Sequence, residues 1–270
     1  MRKKISIIIV TWNTAKITEK CIKTINRYLP GQEIIVVDNN SQDNTVKIIS
    51  KYKKIKIIKN KSNLGFAKAN NIGFREVSPK SQYVLFMNSD IELIDKSLLK
   101  MINYLDKNKN IGIIGPKFLN PDKSSQASVF PPQTISNAFK EFWLGQKTYS
   151  KYLPTNKKAV KVNAISGGCL AVNKEFFEKI GLWNEKYFFY FEDMDLCRQV
   201  KKYNKNVYFY PEAKIIHRHG ASGKKLVSAD QQWRRLIPSS KIFHGTFKHY
   251  LLNLIIWSGQ KWQKLKNLAK

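Results

Sequence analysis

"EIIVVDNNSQDNT", Glu33 to Thr45, is the stretch that decides the fold. Ile34 to Val37 are β-branched aliphatics without a break, the composition of a strand buried on both faces. Asp38 ends that run, and the cluster of Asn, Ser, Gln and Asp behind it is turn chemistry. The same order recurs on either side. "ISIIIV" (5–10) precedes a segment with Ile17, Cys21 and Ile25 at helical spacing. "IKII" (55–58) precedes "NLGFAKANNIGF", and "YVLFM" (83–87) ends in "NSD". Leu98, Leu99, Ile102 and Leu105 then mark an amphipathic helix before "IGIIG" (111–115). Strands alternating with helices predict an α/β fold with a mostly parallel sheet covered on both faces. Ligands of such sheets lie beyond the carboxyl ends of the strands. The residues to inspect are therefore Thr11 and Asn13, Asp38 and Asn40, and Asn88 and Asp90. On an extended turn Asn88 and Asp90 face the same way, which suits Mg²⁺ or Mn²⁺ held through a carboxylate plus diphosphate oxygens.

Composition narrows the class. With 270 residues, 43% hydrophobic, the chain can build one large domain or two small ones. Cys21, Cys169 and Cys197 are odd in number and form no C-x-x-C pair, which excludes a disulfide framework and a thiolate zinc site. The basic start "MRKKISIIIVTW" has an apolar run of only Ile5 to Val10, a first strand rather than a signal peptide. "YLLNLIIW" falls short of the roughly 20 residues a membrane span needs, so a soluble or peripheral protein is expected. A net charge of +29 calls for a polyanionic neighbour, nucleic acid or an anionic membrane face, or for a strongly solvated surface, and charge alone does not decide between them.

The second half is less regular. Residues 117–160, with Pro121, Pro131, Pro132 and Pro154, read as a long functional connection. Regular signals resume at "VNAISGGCLAV", with helices near 174–180 and 193–203 and the strand "NVYFYP". Beyond Lys224 the chain turns basic and aromatic, an amphipathic segment. In a chain with 48 Lys and Arg against 19 Asp and Glu, "YFFYFEDMDL" gathers Glu192, Asp193 and Asp195 behind an aromatic run. A helix starting there sets Glu192 and Asp195 near one face and Asp193 about 100° away. The aromatic run would desolvate the acids and raise a carboxylate toward a useful base.

"SIIIVTWN", "EIIVVDNNSQDNT", "NLGFAKANNIGF", "YVLFMNSD", "ISGGCLAVNKEFFEKIGLWNEKYFFYFEDMDLCRQ" and "IIHRHGAS" follow the order seen in family 2 glycosyltransferases. Over residues 5–222 the chain resembles the bacterial rhamnosyltransferase-like branch, which has the GT-A fold. The resemblance implies a GT-A domain over 1–223, with a nucleotide-binding half (about 1–115) and an acceptor-binding half (116–223), and a basic extension over 224–270. It implies that Thr11, Asn13 and Asp38, with Asn40 nearby, hold base and ribose, and that Asn63, Gly65 and Asn70 lie by the diphosphate. The family's D-x-D motif falls on Asn88-Ser89-Asp90, its first acid replaced by Asn, with Asp90 as metal ligand. His217 would assist the metal–diphosphate end, with His219 a structural neighbour. Asp193 falls on the base that deprotonates the acceptor hydroxyl in an inverting transfer. Gly167 and Gly168 read as a loop facing acceptor or sugar. The implied partners are a dTDP- or UDP-linked sugar, a glycan or lipid-linked glycan acceptor and an anionic surface on the cytoplasmic side of the membrane.

Two other readings compete. A nucleic-acid-binding module explains the charge and the aromatic–basic tail, but not Asp38, Asp90 and Asp193 at a ligand edge, where carboxylates repel phosphates that lack a metal. A sugar nucleotidyltransferase needs a Gly-rich, Arg-containing loop after the first strand, and this chain has "TWNTAK" there.

Overall fold

A computed structural model describes residues 4–218 and 229–268. Its first half runs β1 (Ile5–Thr11), α1 (Ala15–Tyr28), β2 (Glu33–Asp38), α2 (Thr45–Ile49), β3 (Ile55–Lys59), α3 (Phe66–Arg75), β4 (Tyr83–Asn88), β5 (Ile91–Leu93) and α4 (Ser97–Lys107). The middle holds β6 (Ile111–Leu119), β7 (Ser125–Gln126), β8 (Val129–Phe130), α5 (Ile135–Leu144), β9 (Val160–Val162), β10 (Ala164–Ile165) and β11 (Cys169–Asn173). The chain continues with α6 (Lys174–Lys179), α7 (Glu192–Lys202), β12 (Asn206–His217), α8 (Ala229–His244) and α9 (Thr246–Leu268).

The central sheet has the order β3-β2-β1-β4-β11-β6-β12-β5. The strands β3, β2, β1 and β4 pair in parallel, as the βαβ grammar requires. β11 enters antiparallel between β4 and β6, and β6 then pairs in parallel with β12. Because side chains alternate along β1, Ile7 and Ile9 pack with Cys21, Ile22 and Ile25 of α1 on one face of the sheet. Ile8 points to the other face, among Phe74, Phe177, Trp183 and Val200. The three cysteines are free and buried.

Two strands differ from the sequence reading, and two helical segments, in the long connection and in the basic extension, fill it in. β5 is too short for a periodic signal, yet it closes the sheet edge against β12. β12 runs on past "NVYFYP" to His217, with a register shift between Tyr210 and Lys214 where Pro211 cannot donate to the ladder. The long connection contains a ten-residue helix, α5, capped by the Thr134 hydroxyl, which accepts from the Asn137 N–H. The basic tail is two helices, and α9 packs on α5, with Trp143 Nε1 donating to the Ile255 carbonyl at 3.2 Å. The tail therefore both packs and presents a surface. No helix among the described residues is long and apolar enough to cross a membrane.

Candidate active site

At the carboxyl edge, Thr11 stands opposite Asp38 and Val10 opposite Asn88. Asp38 is buried; its Oδ2 accepts the Ser41 N–H at 3.0 Å, and its Oδ1 has no hydrogen bond. A buried carboxylate oxygen without a donor suits a ribose hydroxyl. Thr11 faces inward instead, its hydroxyl bonded to those of Thr14 and Thr18 at 2.9 and 2.7 Å. Asn13, at φ 52°, accepts the Gln42 N–H at 2.7 Å and so joins the first two edge turns. Asn40, at φ 65°, makes only local contacts with Gln42.

Asn39 is the hub that sequence reasoning missed. It is buried; its Nδ2 donates to Asn63 Oδ1 at 3.2 Å and to the Gly65 carbonyl at 3.1 Å, and its Oδ1 accepts from Asn60 at 2.8 Å. Two adjacent asparagines in a turn carry no sequence signal that separates the buried one from the exposed one. Asn63 in turn accepts the Gly65 N–H at 3.0 Å. Gly65 sits at φ +80°, and a Cβ there would lie 2.3 Å from the Phe188 carbonyl oxygen. That carbonyl accepts the Phe66 N–H at 2.9 Å, docking the aromatic run on the start of α3. Asn70 donates back to the Phe66 carbonyl at 3.0 Å. Asn71 bonds both the N–H and the carbonyl of Trp183, at 3.1 and 2.8 Å.

Asp90 and His217 meet at the end of β4 and β12, with Asp90 Oδ1 3.4 Å from His217 Nε2. Gln126 defines that contact. Its Nε2 donates to Asn120 Oδ1 at 2.8 Å and to the His217 carbonyl at 3.3 Å, so its Oε1 faces His217 Nδ1 at 2.6 Å. With an acceptor at Nδ1, that nitrogen carries the proton. Nε2 lies on the side of the ring that faces the Asp90 carboxylate oxygen, so the two atoms can share a cation. The donor set, one carboxylate and one imidazole oriented by an outer hydrogen bond, fits a divalent metal that takes its other ligands from diphosphate and water. Among the described residues no three His, Cys, Asp or Glu side chains cluster as a closed metal site. Ser89 turns the other way, toward Thr14 at 3.3 Å. Gln126 lies in the connection without periodicity, where no pattern could reveal it. His219 lies outside the described residues.

The glycine pair joins this end to the acids of α7. The Gly168 carbonyl accepts the Asn88 N–H at 2.8 Å, and the Gly167 N–H donates to Asp193 Oδ2 at 3.1 Å. A Cβ on Gly167 would come within 3.3 Å of the Asp193 Cβ. Asp193 Oδ1 accepts the Met194 N–H at 2.8 Å. Burial raises the Asp193 carboxyl, while Lys151 and these two N–H groups oppose the rise. Glu192 is buried with Oε2 unpartnered, and burial, then the Asp193 charge, push it up to about 8. Asp195 is tied to Arg198 and accepts from Asn184 at 3.3 Å. The α7 helix begins at Glu192, as the acid spacing predicts. The acids behind the aromatic run are buried, as expected; within the run Tyr187 is buried, whereas Phe188 and Phe189 are exposed. Tyr190 and Phe191 both hold left-handed backbone, at φ 71° and 67°, strain that sits beside the acids. α8 braces this turn from outside, through Ser239 Oγ to the Phe189 carbonyl at 2.8 Å and Phe243 against Phe191.

Comparison with known proteins gives this geometry a family. The model of glycosyl transferase family 2 matches residues 6–181. The dTDP-rhamnosyl transferase RfbF of Shigella flexneri is 30% identical, over 84% of this chain and 73% of that protein. A low-salt glycan biosynthesis hexosyltransferase of Haloferax volcanii is 28% identical, over 90% and 78%. Among solved structures, a mannosyltransferase from Pyrobaculum calidifontis in complex with GDP-Man and Mn²⁺ aligns with a TM-score of 0.64, at 15% identity, over 100% of this chain and 76% of that one. GalNAc-T7 with UDP, GalNAc and Mn²⁺ gives 0.63 at 16% identity, over 80% of this chain and 44% of that one. The ordered motifs, the strand-end acids and the family match agree: the chain belongs to glycosyl transferase family 2, as a GT-A enzyme that takes its sugar from a nucleotide donor.

Proposed function

We propose that the protein moves rhamnose, with inversion, from a dTDP- or UDP-linked donor to a hydroxyl of a lipid-linked glycan in cell-surface polysaccharide synthesis. The observation that carries the reading is the pair of α7 carboxyls beside the Gly167–Gly168 turn. Two adjacent buried acids do not both ionise readily. The N–H groups of Gly167 and Met194 favour charge on Asp193, and Glu192, with its pKa near 8, holds the proton. Asp193 is then the base. It accepts the acceptor's hydroxyl proton as that oxygen bonds to the anomeric carbon, and the bond from that carbon to the diphosphate oxygen breaks. Asp38 orients the nucleoside, and Asn63 and Gly65 shape the diphosphate edge. Asn70 acts through the Phe66 carbonyl at the α3 start. Asp90 and His217, with Asn88 at hand, would hold Mg²⁺ or Mn²⁺, which neutralises charge on the leaving diphosphate. Mn²⁺ in the two similar structures supports that choice, as the S. flexneri relative supports dTDP-rhamnose.

The surface of α9 supports a place on the cytoplasmic membrane face. Phe247, Tyr250, Leu254, Trp257, Leu265 and Leu268 recur every three or four residues, or a multiple of that spacing, and all are exposed, Phe247 at 82%. Lys261 and Lys266 lie over the Trp257 and Trp262 rings. Apolar rings beside lysines suit an anionic bilayer surface.

The test is a panel of nucleotide sugars scored by melting temperature, with Mn²⁺ and with chelator. The largest rise should come from dTDP-rhamnose or a UDP-sugar with metal, and Asp90→Ala should abolish the metal increment. A GDP-sugar giving the largest rise would overturn the donor assignment. Equal rises with chelator would overturn the metal.

A further inference from the structure

On the α1 face of the sheet lies a cleft of about 800 Å³. Its walls carry Lys20, Lys23, Arg27, Lys117, Lys123 and Lys214, brought from α1, β6, the β6–β7 turn and β12. Two of these cations are neutralised, Lys23 by Glu19 at 2.9 Å and Lys20 by Glu92 at 2.8 Å. Among the described residues no carboxylate pairs with Arg27, Lys117, Lys123 or Lys214, and no acid lines the cleft. A solvated face of a basic protein scatters its lysines over convex surface. Here four unpaired cations converge on a concavity, where low-dielectric walls focus their field. The floor is aliphatic, made by Leu93, Ile94, Leu119 and Ile216.

We infer that this cleft is a second binding site, for a glycan chain bearing phosphate or carboxylate groups. The lysines meet the anionic groups and the aliphatic floor meets the apolar faces of the sugar rings. Nucleic acid fits less well. The single aromatic side chain in the cleft, Tyr28, already has the Arg27 guanidinium 5.3 Å from its ring centroid, which leaves no platform for stacked bases. A bilayer fits less well too, because the cations line a concavity that a flat headgroup surface does not enter. The cleft is distinct from the transfer site but backs onto it. Ser125 and Ile216 line it, while the next residues, Gln126 and His217, turn to each other at the Asp90 end.

The test measures binding without donor and with EDTA, so it does not depend on the transfer reading. Fluorescent hexamers of phosphodiester-linked mannose and of galacturonate are titrated against the full chain, with a short single-stranded DNA of equal charge alongside. At least one glycan should bind, with affinity falling linearly on a log–log salt plot through counterion release; the tighter of the two names the anionic group. The triple variant Lys117→Gln/Lys123→Gln/Lys214→Gln should weaken it roughly 10–100-fold and leave dTDP and UDP affinity unchanged. A control triple at exposed positions elsewhere, Lys53→Gln/Lys54→Gln/Lys61→Gln, should change little. An equal loss in the control, failure of both glycans to bind, or DNA binding as tightly as either, would overturn the inference.

Discussion

The donor edge and the start of α7 are both buried and both acidic, yet they handle an unpaired carboxyl oxygen in opposite ways. At the donor edge Asp38 keeps one oxygen on the Ser41 N–H and leaves the other without a donor, amid a mesh of asparagine side chains. Such a mesh is rigid, and in the proposed function the missing donor is a ribose hydroxyl. At α7 the unpaired oxygen is on Glu192, whose carboxyl is raised to about 8, and the turn before it holds two left-handed non-glycine residues. Strain and a shifted proton equilibrium belong where chemistry happens. Binding the nucleotide asks for fixed polar partners; activating a hydroxyl asks for a carboxylate kept basic by burial.

The largest expected effect separates the two regions outright. Asp193→Asn keeps shape and one of the two backbone N–H contacts but cannot take a proton, so turnover should fall roughly 10²–10⁴-fold. Calorimetric donor affinity should stay at the wild-type value. Turnover near wild type would transfer the role of base to Glu192. Next is Gln126→Leu, which removes the acceptor at His217 Nδ1. Loss of an outer partner of this kind costs about 10–100-fold in metal affinity, read by Mn²⁺ titration, while metal-free nucleotide binding holds. Unchanged Mn²⁺ affinity would mean the ring is oriented by other contacts.

The joint between the regions is Gly65. Gly65→Ala combines a left-handed backbone with a Cβ 2.3 Å from the Phe188 carbonyl oxygen, and should cost about 1–3 kcal/mol in urea unfolding. Gly181→Ala, at φ +89° with nothing within 4 Å of the added Cβ, should cost only about 1 kcal/mol. Equal losses would show that backbone strain alone, not the docked aromatic run, sets the value. On the outer surface, Leu254→Ser should weaken sedimentation with phosphatidylglycerol vesicles about tenfold, with no change in donor affinity.

A pH slope probes the α7 acids without touching the donor edge. Glu192 has its folded pKa raised from 4.5 to about 8, so the native state binds that proton more tightly than the unfolded chain. The resulting stabilisation is full below pH 4.5 and is lost as pH rises through about 8. Glu192→Gln removes this proton, so its melting temperature should fall less than wild type between about pH 5.5 and pH 8. Parallel melting curves would place the proton elsewhere.

Sequence by itself determined the βαβ half. Each element there is local: the aliphatic runs 5–10, 34–37 and 83–87 can only be buried strands, and a parallel sheet sets their ends side by side. Asp38, Asn88, Asp90 and the α7 acids were legible because each directly follows a strand or opens a helix. What lay beyond reach depends on contacts between distant residues. Asn39 became a hub because the 60–65 loop folds over it, whereas Asn40 turned out on a left-handed backbone. Gln126 acquired its role because β7 pairs with β6 beside β12. Gly167 joined Asp193 to the Asn88 edge because β11 runs antiparallel between β4 and β6. The direction of α9's exposed face was fixed by Gly259, where α5 approaches so closely that a Cβ would lie 2.7 Å from Phe142. Periodicity reports which face of an element is apolar; only packing chooses its neighbour, and so decides which apolar faces remain exposed.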